Sequence, residues 1–435
     1  MHRRAFLEVT GAMALATSLP PSRSLLRAQA LSIDGDRLNA NLERFGRIGR
    51  REDGGIWRVA FSEADLEARA FAMDRMRDAG LVVEVDAAGN ILGLRNGAEP
   101  GLDPMLFGSH IDSVPRGGNY DGPVGSFAAI EVAHTLREAG YANRHPFVVT
   151  IWADEEGGLT GSRGFVDGFT QEELDQPGPD GRSLAARIRA AGGRPERTVG
   201  AGTGPRRIAA YVELHIEQGA VLHERGIDIG VVEGIVGIQW HDVRFTGVPN
   251  HAGTTPMDRR HNAMLATAEL TLAVDRIVRA EPGRQVGTVG RVLVTPNAPN
   301  VVPGRVDLTV ELRDLSREKI GVLWDRIRAA AQDAARRYEV TFTSTRRVDL
   351  IPALSTPSVR DVIAAAAEAR DLTTLRMPSG AGHDAQDLAR LGPMGMIFVP
   401  SVGGISHAPE ELTRPEDIIN GANVLLDTVQ HLDRG

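Results

Sequence analysis

Four short stretches of this chain set His, Asp and Glu directly after apolar runs. In Gly108-Ser-His-Ile-Asp-Ser-Val114 and the following Tyr120-Asp-Gly-Pro-Val-Gly125, His110 and Asp121 are an imidazole and a carboxylate of the kind that binds zinc or a similar divalent ion. Asp112, two residues beyond His110, could hold that ring by its second nitrogen. Ile151-Trp-Ala-Asp-Glu-Glu-Gly157 puts three carboxylates side by side, where repulsion costs stability unless cations or protons offset it. A division of labour fits them: one Glu ligates a metal while its neighbour takes a proton from activated water. Tyr211-Val-Glu-Leu-His-Ile-Glu-Gln-Gly219 and Gly403-Gly-Ile-Ser-His-Ala-Pro-Glu-Glu411 add His215 and His407. Each stretch alone is an ordinary structural feature; four strand ends in one layer architecture point to a shared site.

The rest of the composition narrows the chemistry. There is no cysteine, which excludes thiolate ligands, a cysteine nucleophile and disulfides together. Any metal therefore rests on His, Asp and Glu. A formal charge of -8 without a basic stripe argues against nucleic acid as a partner. Hydrophobic residues at 42% and charged residues at 24% are a globular balance, and no apolar run is long enough to span a bilayer.

The elements that must position these residues follow from periodicity. Apolar runs at 105–108, 147–153, 209–214 and 396–399 read as strands, each followed by one of the chemically dense stretches. In open α/β sheets ligands sit beyond the carboxyl ends of the strands, so residues distant in sequence can converge there. A helix is expected from the Ser62-Glu63-Ala64-Asp65 capping pattern to Gly80, and another over 124–139. From 231 to 346 the rhythm changes to strand (238–246), helix (257–280), strand (286–295), strand (305–313), helix (316–337) and strand (338–345). That is the order of a split βαβ, ferredoxin-like unit. The chain thus divides into an α/β unit, 31–230 plus 347–435, and an α+β insertion, 231–346.

Residues 1–30 carry Arg3-Arg4-Ala5-Phe6-Leu7, an apolar stretch and Ala28-Gln29-Ala30, the pattern of a cleavable signal. Arg-Arg-x-Phe-Leu is similar to a twin-arginine export signal, which implies a periplasmic or exported protein, with a cytoplasmic location as the alternative.

Taken in order, Gly-Ser-His-Ile-Asp-Ser-Val, Tyr-Asp-Gly-Pro-Val-Gly, Asp-Glu-Glu-Gly, Glu-Leu-His-Ile-Glu-Gln-Gly, His-Ala-Gly-Thr-Thr-Pro-Met and Gly-Gly-Ile-Ser-His span nearly the whole chain beyond residue 30. This set resembles the amidohydrolases related to dinuclear zinc aminopeptidases and aminoacylases. Within them it looks most like the hydantoinase/carbamoylase branch of N-carbamoyl-L-amino-acid hydrolases, allantoate amidohydrolases and β-ureidopropionases. The resemblance implies a zinc-aminopeptidase-like catalytic domain, with the insertion as a lid and homodimerisation domain. It implies two divalent ions, zinc first, with manganese, cobalt or nickel as alternatives: His110 and His215 on one, Glu156 and His407 on the other, Asp121 bridging. Glu155 would be the general base, and His251 would stabilise the oxyanion at a neighbouring or partner subunit's site. Asn300 and Arg313 would grip a substrate carboxylate, and Gln218 would hydrogen-bond the amide or ureido group. His383 is a further site-lining candidate, whereas His134, His145, His223 and His431 read as structural.

His215 stands where peptidase relatives usually carry an acidic ligand, which favours a carbamoyl-type amide. Two departures bear on the substrate: Gly157-Gly-Leu-Thr-Gly-Ser-Arg163 replaces a Ser-Arg-Phe-like segment, and Asn262 stands where Asp is common. The expected reaction is hydrolysis of a linear amide or ureido C–N bond beside a carboxylate, led by N-carbamoyl-L-amino acids. Dipeptidase or aminoacylase-like hydrolysis is the rival within the mechanism. An exported binding protein that has lost catalysis is the rival outside it, opposed by the presence of Glu155 and all five ligands.

Overall fold

The computed structural model describes residues 31–435, so the expected export signal lies outside the described residues. Strands β1 (Val82–Val85), β2 (Ile91–Arg95), β3 (Met105–His110), β4 (Phe147–Trp152), β5 (Ala210–Ile216) and β6 (Ile229–Ile235) open the larger sheet. A second sheet is made by β7 (Gly237–Thr246), β9 (Val286–Thr295), β11 (Arg305–Asp314) and β12 (Thr341–Leu350), with a small ladder of β8 (Asn250–His251) and β10 (Val301–Val302) beside it. The chain then returns to the larger sheet as β13 (Ala353–Leu354), β14 (Thr374–Ser379) and β15 (Met394–Val399).

The larger sheet has nine strands in the order β1-β2-β4-β3-β5-β15-β6-β13, with β14 also paired to β6. Its centre, β4-β3-β5-β15, is parallel, so these four strands present their carboxyl ends along one edge. All four are buried along their whole length, the near-continuous apolar pattern of strands covered on both faces. The helices Gly35–Phe45, Glu63–Asp78, Pro123–Glu138 and Pro415–Arg434 share one hydrophobic cluster with them, in which Phe45 and Phe127 meet at 4.8 Å between ring centroids. Pro123–Glu138 lies so close to β5 that a Cβ on Gly125 would stand 1.9 Å from the Leu214 carbonyl oxygen. That approach fixes the start of this helix, and so the loop before it, against the strand end.

The four expected strands are present; three of them are longer than read, and β4, read over 147–153, ends at Trp152. β3 runs to His110 and β5 to Ile216, so His110 and His215 are the ends of ladders and not residues of the loops after them. Backbone pairing reaches past the point where apolar side chains stop, because the polar residues there are themselves buried. The helix from Glu63 forms as read, with Ser62 accepting from the Asp65 amide and Gly80 ending it at a φ of +80°.

In the second sheet the order is β12-β7-β11-β9, all antiparallel, with helices Ala263–Ala280 and Arg317–Arg337 packed on a separate hydrophobic cluster. The strand and helix order read for this stretch is met. One helix starts later than the expected 257: residues Met257–Arg259 form a 3-10 turn, and Asn262 caps the helix by accepting from the Met264 amide at 3.0 Å. The Asn262 departure is thus in a capping position, where Asn and Asp serve alike.

Candidate metal centre

The carboxyl edge of β4-β3-β5-β15 gathers every ligand expected there. His110 ends β3, His215 is the penultimate residue of β5, Asp121 precedes the helix Pro123–Glu138, the 154–156 turn follows β4 and His407 lies in the loop after β15. Asp121 is their meeting point. Its Oδ1 stands 3.6 Å from His110 Nε2 and 3.2 Å from His215 Nε2, while its Oδ2 stands 3.3 Å from His407 Nε2. Glu156 Oε1 is 3.4 Å from the same His407 nitrogen. Two overlapping groups result, His110–Asp121–His215 and Asp121–Glu156–His407, each with ligand atoms within 4.8 Å of one another. Gly122 is required beside them: its φ is +84°, and a Cβ there would sit 2.4 Å from the His110 ring.

Each histidine is oriented from behind. His215 Nδ1 faces the Ile216 carbonyl at 2.9 Å, and His110 Nδ1 faces Asp112 at 3.3 Å to its carbonyl and 3.4 Å to its carboxylate. Asp112 also accepts from the Glu155 and Glu156 amides at 3.3 and 3.2 Å, so one buried carboxylate holds both the ring and the acidic turn. Asp154 belongs to neither group and accepts from the Thr160 hydroxyl at 2.6 Å. Glu155 also belongs to neither; its Oε2 stands 3.8 Å from His110 Nε2.

The electrostatics are those of a site short of positive charge. Burial, and then neighbouring carboxylates, hold the Glu155 carboxyl well above its usual range. Burial likewise pushes Glu156 up to about 7, and burial with Asp112 nearby pushes Asp154 up to about 7. Burial alone would raise Asp121, but the three imidazoles around it hold it well below the carboxylate range. The hydrogen bond to Asp121 carries His407 up to about 9. Among the described residues, His110 Nε2 and His215 Nε2 are buried without a hydrogen-bond partner although both face Asp121. Unpartnered imidazole nitrogens around a shared carboxylate, with surplus acid nearby, fit divalent cations with nitrogen and oxygen ligands.

The remaining candidates divide. His383 is buried against the site, its ring 4.5 Å from that of His215 and its Nε2 2.8 Å from the Ser379 hydroxyl. Gln218 is at the site but turned onto it, donating from Nε2 to Asp121 Oδ2 at 2.7 Å. Arg313, on β11, bonds Glu311 and the Gly380 carbonyl, and so touches the loop that leads to His383. His251, on β8, and Asn300, just before β10, are exposed beside the second sheet, where the Asn300 carbonyl accepts from the Ala252 amide. Among the described residues neither hydrogen-bonds nor ion-pairs with the His/carboxylate cluster of its own chain. A cavity of about 1020 Å³ opens over the cluster, with Glu155, Glu156, Gln218 and His407 on one side and Asp349 to Leu354 on another.

Sequence reading missed Glu411, Ser406, Glu213 and Asp384. Ser406 donates to Asp121 Oδ2 at 2.6 Å, and Glu411 bonds both ligand loops. Glu213 is a buried residue of β5, accepting from Ser109 and Tyr211, with Asp384 buried nearby. Glu213 and Glu411 both lay inside quoted motifs; the two-residue spacing of Glu213 from His215, which puts both on one face of a strand, was the available signal.

The peptidase family M20/M25/M40 matches residues 106–431. The chain is 39% identical to the N-carbamoyl-L-amino acid amidohydrolase of Geobacillus stearothermophilus, over 93% of this chain and 100% of that protein. It is 35% identical to the ureidoglycolate hydrolase of Arabidopsis thaliana, over 94% of this chain and 89% of that protein. Among solved structures it is similar to the hydantoinase/carbamoylase family amidase of Burkholderia multivorans, with a TM-score of 0.87, 34% identity, and coverage of 93% of this chain and 99% of that one.

Proposed function

Because this chain belongs to the peptidase family M20/M25/M40, we propose that it is a metal-dependent hydrolase of the linear C–N bond of an N-carbamoyl-L-amino acid. The observation that carries this reading is the Asp121 carboxylate, with two imidazoles at one oxygen and a third at the other. Such a carboxylate suits two cations held side by side, His110 and His215 on the first, Glu156 and His407 on the second. Bound there, such cations, zinc in the first place, would supply Lewis-acid polarisation of the carbonyl and a lowered pKa for water.

The chain's own residues do the rest. Glu155, free of a tight partner and with a proton affinity raised by burial, takes the proton of the attacking water and returns it to the departing nitrogen. Asp112 keeps Glu155 in place through its amide and keeps the His110 ring turned inward. Gln218 exchanges its bond to Asp121 for one to the ureido group. Arg313 and Asn300 grip the substrate carboxylate, for which a planar guanidinium fork is suited. His251 steadies the oxyanion and comes from the partner of a homodimer, since in its own chain it lies on the exposed ladder. The second sheet is then both lid and dimerisation surface. The products are amino acid, ammonia and carbon dioxide. Arg3-Arg4 and the cleavage-site pattern support export by the twin-arginine route. Among the described residues no helix is long and apolar enough to cross a membrane.

A second reading, hydrolysis of a ureido acid such as ureidoglycolate, is supported by the Arabidopsis relative of that name. One panel tests both: metal-reconstituted protein with N-carbamoyl-L-amino acids, ureidoglycolate, allantoate, β-ureidopropionate, N-acyl amino acids and dipeptides. Carbamoyl amino acids are expected to give the highest kcat/KM. Turnover of acyl amino acids or dipeptides without carbamoyl compounds would sink the assignment.

A further inference from the structure

Glu411 belongs to no role assigned so far, yet it contacts two of the ligand-bearing loops. It is buried, and each of its carboxylate oxygens serves a different loop. Oε1 accepts from the Tyr120 amide at 2.7 Å and from the Asp121 amide at 3.0 Å. Oε2 faces the Ser406 hydroxyl at 3.2 Å and accepts from the His407 amide at 3.2 Å. The ligand residues are thereby fixed through their own backbone, where a rotamer change cannot release them. Ser406 adds a direct link, since its hydroxyl lies 2.6 Å from Asp121 Oδ2. The loops also need such a restraint. His407 has a φ of +57°, a left-handed conformation that a non-glycine residue holds only when its surroundings impose it. The loop leading to Asp121 passes so close that a Cβ on Gly118 would stand 2.3 Å from Glu411 Oε1.

We propose that Glu411 is a positioning residue that ties the Asp121 loop to the His407 loop, so that the shared carboxylate and the second-ion imidazole are preformed as one unit. Two carboxylate oxygens are needed because all the backbone groups facing them are donors. Gln would turn an N–H₂ toward one loop and repel its amides, while Asp is a methylene too short to reach both. The inference rests on the metal-site reading above. Its consequence is specific: loss of Glu411 loosens the ion shared by Asp121, Glu156 and His407 more than the ion held by the two strand-end histidines.

The test is metal titration of the full-length protein with zinc in competition with a chromophoric chelator, and metal analysis after dialysis, for wild type, Glu411→Gln, Glu411→Asp and Ser406→Ala. Thermal unfolding of each metal-free protein is measured in parallel. Glu411→Gln is expected to weaken one of the two zinc ions by about 10- to 100-fold, the range seen when a hydrogen-bond partner of a ligand is removed. The other ion stays near wild-type affinity, and the metal-free melting temperature changes little. Glu411→Asp should recover part of that loss, and Ser406→Ala, which leaves the amide contacts intact, should show a smaller loss on the same ion. If Glu411→Gln does not fold, Glu411→Asp decides by the same selective weakening. Equal weakening of both ions, or unchanged affinity for both, overturns the proposal while leaving two-metal chemistry standing. A wild-type protein that binds no zinc overturns the metal-site reading itself.

Discussion

His110 and His215 in the larger sheet and His241 in the smaller one are all buried, and their surroundings act on them in opposite directions. Burial lowers the proton affinity of His110, but Glu155, Asp112 and Asp121 reverse that and hold it well above the usual imidazole range. His215 is likewise raised by Asp121 against the effect of burial. His241 lies flat on Trp324 with ring centroids 3.6 Å apart, and burial with Arg346 nearby drives it down to about 4. A carboxylate within reach makes a buried imidazole a place for positive charge; an aromatic face with a neighbouring arginine makes it a neutral packing element. Histidine burial alone therefore says little about metal binding, and the company of acids says a great deal.

The contrast can be broken most severely by taking the cations away. Exhaustive chelation is expected to abolish turnover while circular dichroism shows both sheets still folded, with activity restored by zinc, manganese, cobalt or nickel. Retained activity after metal analysis reads zero would end the two-ion reading. Restoring zinc at about 100 times its Kd should stabilise the protein by roughly 2.7 kcal/mol for each ion bound in unfolding experiments. Next in size is Glu155→Gln, for which kcat should fall by about 10²- to 10⁴-fold with zinc content unchanged. Loss of zinc in that variant would make Glu155 a ligand instead of the base.

His251→Ala extends the test to the second sheet. Its kcat should fall by about 10²- to 10³-fold, again with full metal content. Mixing subunits of the Glu155→Gln and His251→Ala proteins should restore activity, because one site of each hybrid dimer has both residues intact. Failure of the mixture to recover any activity, with hybrid dimers demonstrated, would place His251 in its own subunit's site. Arg313→Ala should act mainly on KM, raising it about tenfold, in line with a charge-assisted hydrogen bond to substrate. Part of that change arises from its bond to Gly380, and Arg313→Gln with a substrate lacking the carboxylate separates the two.

The smallest effect concerns His241. Its folded value of about 4 lies below the ordinary 6.5, so the unfolded chain binds more protons between those limits. Its contribution is fully present above pH 6.5 and is lost as pH falls toward 4. Urea midpoints measured from pH 7 to 4.5 should drop less in His241→Phe than in wild type. Equal slopes would show that His241 is not held neutral.

Much of the site was legible because its pieces are local. Apolar runs that end in His or in acidic triplets report strand ends, and four such ends in an alternating pattern already imply one edge of a parallel sheet. The second sheet was legible for the same reason, since its strand and helix periods are clean. The helix expected from 257 failed where local capping at Asn262 decided the start, a detail that hydrophobic periodicity does not carry. Asn300 and His251 could be singled out only through the resemblance, since nothing local distinguishes an exposed Asn or His beside a short ladder.

What the sequence determined by itself was the inventory: His, Asp and Glu as candidate nitrogen and oxygen ligands with no sulfur, two adjacent glutamates after a strand, and the order of elements that carries them. The tertiary structure decided which atoms face each other. Glu411 meets Asp121 across 290 positions of chain, and Gln218 turns onto Asp121 across 97. Neither pairing leaves a trace in local periodicity, because hydrogen bonds between loops depend on where parallel strands end relative to one another. The same holds for the Asp121 carboxylate: the sequence marked it as a candidate ligand, but only β3, β5 and the loop after β15 placed three imidazoles around its two oxygens.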